Sequence, residues 1–226
     1  MSELTTDPKT DALPPSAAIY GRLMLSIYDV YVLGLSNHFA WQCPTPRILE
    51  LYQQQISDNH LDVGVGTGYY LDKVRFPSDH PSVHLMDIHP LALARTADRI
   101  KRYQPRCILA DVTRAQDALN TTYDSIAINY LLHCLAGPMP EKGEQVLKQL
   151  LGFLRPSGGR LFGATILGEG VQHNAMARQL MAFYNRKGVF GNQSDSEAQL
   201  RNLLAAHFDR YDLRFHGCVA LFTGYR

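Results

Sequence analysis

Three glycines spaced two apart, Gly64, Gly66 and Gly68, follow a short run, His60-Leu61-Asp62-Val63, in which apolar residues flank an acid. Glycine has no Cβ, so such a loop takes positive φ and lets a ligand lie against bare main chain. Two more carboxylates close apolar runs further on, Asp87 after 83–86 and Asp111 after 107–110. Asp87 lies roughly 20 residues beyond the loop, where a carboxylate accepts from the hydroxyls of a ribose. For Asp111 the alternative is a helix cap for the segment from Thr113. The glycine spacing is G-x-G-x-G with Tyr69 next, whereas a dinucleotide fingerprint needs G-x-G-x-x-G. His133, one short turn past a further apolar run (123–130), is the candidate general base, because the unperturbed titration range of a histidine lies near neutral pH. Its surroundings (Leu131, Leu132, Cys134, Leu135) leave open a purely structural histidine.

The elements that must position these groups alternate strand and helix. Strands are predicted over 61–63, 83–88, 107–112, 123–130 and 161–165, and the acids and glycines fall at their ends. The residues after Gly68 read as a helix with Leu71 and Val74 inward, its positive dipole end aimed back at the loop. His89-Pro90 opens a helix through Ile100. Further helices are predicted over about 172–187 and 196–208, the latter capped by Ser194 or Ser196, before two strands, 211–215 and 219–225, turned by His216-Gly217. Ahead of the first strand, 19–33 carries apolar residues at helical spacing together with Tyr20, Tyr28 and Tyr31. An irregular stretch with Ser36, Asn37 and Trp41 follows, then a helix over 47–56 with Thr45 as N-cap and Pro46 at its first position.

The loop and its acids resemble motif I and the following strand ends of the class I S-adenosylmethionine (SAM)-dependent methyltransferases that act on small molecules. The resemblance covers about 61–225. It implies a Rossmann-like, doubly wound α/β fold: a seven-stranded mixed sheet with an antiparallel last strand and an N-terminal helical cap. It implies SAM as cofactor, S-adenosylhomocysteine (SAH) as product, and cofactor contacts from Asp62, Gly64, Gly66, Thr67, Gly68, Asp87, Ile88, Asp111, Val112, Asn129 and Tyr130, with Tyr28 from the cap. In that family the acid at Asp111 accepts from the adenine amino group and the next backbone N–H reads a ring nitrogen. Substrate contacts are expected from Tyr20, Asn37, Trp41 and His173, with Asn174, Tyr184 and Asn185 behind them. Tyr20 and Tyr28 serve equally well as core packing, and the aromatic cap either closes over the cofactor or covers one end of the sheet.

At 226 residues the chain forms one α/β unit with a cap. The expected division is a disordered 1–15, a cap over 16–58 and a catalytic domain over 59–226. A net charge of +1 gives no field to gather nucleic acid or anionic membrane. No apolar run reaches spanning length, and no signal-peptide layout stands at the N-terminus. Four scattered cysteines read as reduced thiols in a cytoplasmic protein. No metal site is expected from the spacing of His, Cys and acids. The nucleic-acid amino-methyltransferase motif is absent, since Asn129-Tyr130-Leu131-Leu132 has no prolines. Asn129 also disfavours the metal-dependent catechol type. The expectation is methyl transfer to oxygen or nitrogen of a natural-product-like molecule. The alternatives are a SAM-binding protein that does not methylate and a nicotinamide-dependent oxidoreductase. The oligomeric state, monomer or homodimer, stays open.

Overall fold

A computed structural model describes residues 29–114 and 121–226, with backbone alone for 29–34. Tyr20, Tyr28 and the expected disorder of 1–15 lie outside the described residues. The sheet has seven strands: β1 (Asn59–Val63), β2 (Ser82–Asp87), β3 (Arg106–Leu109), β4 (Ser125–Asn129), β5 (Arg160–Ile166), β6 (Arg210–His216) and β7 (Val219–Tyr225). Their order is β3-β2-β1-β4-β5-β7-β6. β1 to β5 pair in parallel, while β7 inserts antiparallel between β5 and β6, Ala164 opposite Leu221. Parallel strands put all their C-terminal ends on one edge, and the order reverses at β1, so the crevice opens where β1 and β4 part.

The side-chain period of two sorts the strands between two layers. Leu61, Val63, Ile126, Ile128 and Phe222 face α4 (Met139–Phe153) and α6 (Glu197–His207). Leu85, Ala127, Phe162, Ala164 and Leu221 face the other layer. That layer holds α1 (Thr45–Gln55), α2 (Tyr69–Lys73), α3 (Pro90–Arg99) and α5 (Ala175–Arg186). Ile48, Tyr52 and Ile56 place α1 in that same core, so the described part of the N-terminal region shares the interior of the sheet.

Three local expectations need correction. Ser36 and Asn37 belong to a helical segment, Asp29–Ala40, wound as a π-helix. Pro44 occupies the N-cap of α1, while the Thr45 hydroxyl instead accepts from Asn37 Nδ2 at 3.1 Å. The helix after the glycine loop is five residues long and ends at Lys73, so it carries little macrodipole to aim back at the loop. By contrast Ser196 caps α6 in a full capping box with Gln199.

Candidate active site

The C-terminal edge of the sheet opens into a crevice of about 540 Å³. The loop after β1 forms its floor, with φ of 73°, 55° and 70° at Gly64, Gly66 and Gly68. A Cβ at residue 68 would stand 2.7 Å from Thr96 Cγ2, so packing against α3 as well as backbone sign demands glycine there. At residue 66 a Cβ would meet nothing within 4 Å. That bare main chain faces open space where a ligand approaches. The loop is held from behind. The Thr96 hydroxyl donates to Gly66 O at 3.3 Å and Arg99 Nη1 donates to Thr67 O at 2.9 Å. With the Gly66 carbonyl turned toward α3, the next N–H, that of Thr67, points the opposite way because the peptide is planar and trans.

Asp62, Asp87 and Asp111 all line the crevice. Asp62 is buried, accepts from the Tyr52 hydroxyl at 2.9 Å and has His60 Nε2 at 3.6 Å. Burial, then the charge of Asp62, pushes the Tyr52 phenol well above its ordinary range, so it stays a donor. Its ring stacks on Tyr70, centroids 5.2 Å apart. Asp87 is half-buried, and desolvation raises its pKa against the opposing pull of the main-chain N–H groups of His89, Val65 and Gly66. The His89 N–H donates to Oδ1 at 2.8 Å. Asp111 closes its own turn, accepting from the Thr113 N–H at 2.9 Å and hydroxyl at 2.7 Å, with Arg114 Nε at 3.4 Å. Its oxygens therefore have partners within its own turn. Ile88, Thr67, Val112, Asn129 and Tyr130 line it as well. Asn129 Oδ1 is buried with no hydrogen-bond partner, an acceptor at the crevice wall. Tyr130 adopts φ of 55°, which no glycine relieves, and its hydroxyl donates to Asn37 Oδ1 at 2.9 Å.

The structure does not bring the other expected residues to the crevice. His133 is buried, and its Nδ1 accepts from the Ile166 N–H at 3.3 Å. Burial, helped by the Lys142 charge, drives its pKa down to about 3. Its ring packs against Phe190 at 4.6 Å. A neutral imidazole whose lone pair is engaged by the backbone is not a base for a substrate proton. Asn37 is buried, with its amide shared between Thr45 and Tyr130. Trp41 is core, 6.0 Å from the Phe190 ring. His173 Nε2 bonds Leu167 O at 2.9 Å, and Asn174 caps α5 while its Nδ2 donates to Phe39 O at 2.7 Å. None of these five lines the crevice. Asn185 bonds Asn192, and Tyr184 packs on Phe190.

Other residues do line it. Tyr52 repeats with Ile48 and Ile56 at helical spacing, a signal that marks the inward face of α1. Lys142 lies in a polar stretch that reads as solvated, yet it is fully buried in an ion pair with Asp195 at 2.7 Å. Burial lowers Lys142 and raises Asp195, and their mutual attraction works against both shifts. Val189 and Phe190, from the loop after α5, form the far wall.

These residues fit SAM: open space over Gly66, an ionisable acceptor at Asp87 beside the loop, and an orphan acceptor at Asn129. A methyltransferase-domain family model matches residues 61–161. Over 225 residues the chain is 38% identical to demethylluteothin O-methyltransferase of Streptomyces thioluteus, covering 99% of this chain and 97% of that enzyme. It is 36% identical over 217 residues to the physcion biosynthesis cluster O-methyltransferase of Aspergillus chevalieri, covering 95% and 96%. Among solved structures, a DhpI–SAH complex superposes with a TM-score of 0.65 at 17% identity, covering 93% and 95%. An O-methyltransferase family protein from Burkholderia thailandensis gives 0.64 at 16%, covering 89% of this chain and 59% of that one. The nicotinamide alternative falls with these matches, as it does with the short glycine spacing. The chain belongs to the SAM-dependent methyltransferase family, with SAM as its cofactor.

Proposed function

We propose that this enzyme transfers the methyl group of SAM to a hydroxyl oxygen of a largely apolar natural product. The observation that carries the reading is the end-to-end likeness to O-methyltransferases, which leaves no region of this chain without a counterpart in demethylluteothin O-methyltransferase large enough to hold a different activity. The shape of the crevice supports it. Past Tyr130 the walls include Leu131, Leu135, Val189 and Phe190, apolar side chains suited to a ring system, with Lys142 and Gln145 beside them. SAM supplies an activated methyl group on a sulfonium sulfur. The chain would supply placement: the loop after β1 and Asp87 would hold the nucleoside end, and Asp62 and Asn129 would be acceptors for the rest of the cofactor. Holding acceptor oxygen, methyl carbon and sulfur in line is worth about 7–11 kcal/mol where the geometry is good. The apolar wall also keeps water from the transfer. The proton of the acceptor hydroxyl does not go to His133. A cytoplasmic setting fits the four unpaired cysteines. The test is incubation with SAM carrying a labelled methyl group and demethylluteothin, followed by a panel of hydroxylated polyketides and matched amines. An O-methyl product with stoichiometric SAH supports the reading. Methylation of amines alone, or SAH binding with no transfer to any compound, overturns it.

A further inference from the structure

Residues 188–195 leave α5 on one face of the sheet and cross its C-terminal edge to reach α6 on the other. They carry Val189 and Phe190 into the crevice without any regular backbone ladder of their own. The Val189 and Phe190 N–H groups both donate to Tyr184 O, at 2.9 and 3.3 Å, which ties the start of the segment to α5, and a set of polar contacts holds its middle from below. Lys142 Nζ donates to Gly191 O at 2.7 Å and to Leu135 O at 3.4 Å, and pairs with Asp195 at 2.7 Å. The Gly191 N–H donates to His133 O at 2.9 Å, and Asn192 Nδ2 to Ile166 O at 2.8 Å. The Lys142 and Asp195 side chains are 1% and 0% exposed. A buried pair of charges adds little net stability over two apolar side chains, because both ions give up their hydration. It does impose direction: the ammonium is satisfied only when Gly191, Leu135 and Asp195 surround it together.

We infer that Lys142, with Asp195, is the positioning pair that sets the acceptor-facing wall at Val189 and Phe190. The inference rests on the reading that the acceptor lies beyond Tyr130. The expected cofactor contacts stand on β1, β2, the turn after β3 and the end of β4 at Asn129 and Tyr130, and Lys142 bonds none of them. Loss of the pair therefore loosens the acceptor side and spares the cofactor side.

The single change Lys142→Met strands a buried carboxylate and risks misfolding, so the working variant is the double Lys142→Met/Asp195→Leu, which removes both charges. In the SAH complex, amide hydrogen exchange over 188–195 is expected to quicken about tenfold or more, with the β1 to β3 edge unchanged. The Kd for SAH by calorimetry is expected to stay within about twofold. With the acceptor that the unmutated enzyme turns over fastest, KM is expected to rise about tenfold, more than kcat falls. Unchanged exchange over 188–195 overturns the inference. So does a loss of SAH affinity as large as the rise in acceptor KM, which would make the pair general support for the whole crevice. If no acceptor is turned over, the functional reading fails, while the exchange and SAH measurements still decide this one.

Discussion

Asp87→Asn separates what the carboxylate does for the cofactor from what it costs the protein. The amide keeps the shape and one oxygen for the His89 N–H, now 2.8 Å away; it removes the charge and exchanges the second acceptor oxygen for a donor. A hydrogen bond to a charged acceptor is worth about 1.5–3 kcal/mol, against about 0.5–1.5 for a neutral one. Two ribose hydroxyls would thus lose about 2–3 kcal/mol. Because main-chain N–H groups of His89, Val65 and Gly66 already draw on the carboxylate, the lower figure applies, roughly a thirtyfold weaker Kd for SAH. Stability moves the other way. Desolvation raises the folded-state pKa of Asp87 above its unfolded value, so the folded protein binds that proton more tightly. Stability of the free protein therefore falls as pH rises through the window from the ordinary carboxylate value to the raised one, and the cost persists at neutral pH. Asp87→Asn removes it: the ligand-free variant should melt above the unmutated protein at pH 7. SAH affinity of the unmutated protein should decline as pH drops through that same window. Calorimetry and thermal melts measure both. An unchanged Kd would remove Asp87 from the cofactor site, and a lower melting temperature would refute the desolvation argument.

His133→Asn should leave the pH profile of turnover without a missing inflection near the usual histidine range, since the native ring is neutral down to about 3. Its folded pKa is depressed, so the stability it contributes is present above 6.5 and lost as pH falls toward 3; the variant should be less sensitive to acid, read by melts from pH 7 to 4. Tyr52→Phe leaves the buried Asp62 carboxylate one donor short, costing about 1–3 kcal/mol, with the melting temperature dropping about 2–4 °C for each kcal/mol. An unchanged melt would mean that His60 or water compensates. Gly68→Ala forces a Cβ to 2.7 Å from Thr96 Cγ2 at φ of 70° and should lower both stability and SAH affinity. Adding Thr96→Ser, which deletes Cγ2 and keeps the hydroxyl, should recover part of the loss, and no recovery would show that φ alone carries the penalty.

The cofactor end was legible because local chemistry decides it. A glycine must stand wherever φ is positive against a packed helix, and an acid that ends a parallel strand falls on the edge where the crevice opens, so Gly68 and Asp87 are marked by type and spacing as crevice residues. The closing hairpin was legible for the same reason, its alternation interrupted by one turn. The acceptor end obeys a different rule. His133, Asn37 and Trp41 have the residue types of a substrate site, yet each is consumed by a partner distant in sequence: Ile166, Tyr130 and Phe190. No window along the chain holds both members of such a pair, so residue type alone overstates their availability. Lys142 shows the converse. Its neighbours in α4 give it the look of a solvated residue, and only Asp195, 53 positions on, makes its burial affordable. Which side chains reach this crevice is therefore decided by long-range pairs between elements, and they become visible only once the sheet has brought those elements to one edge.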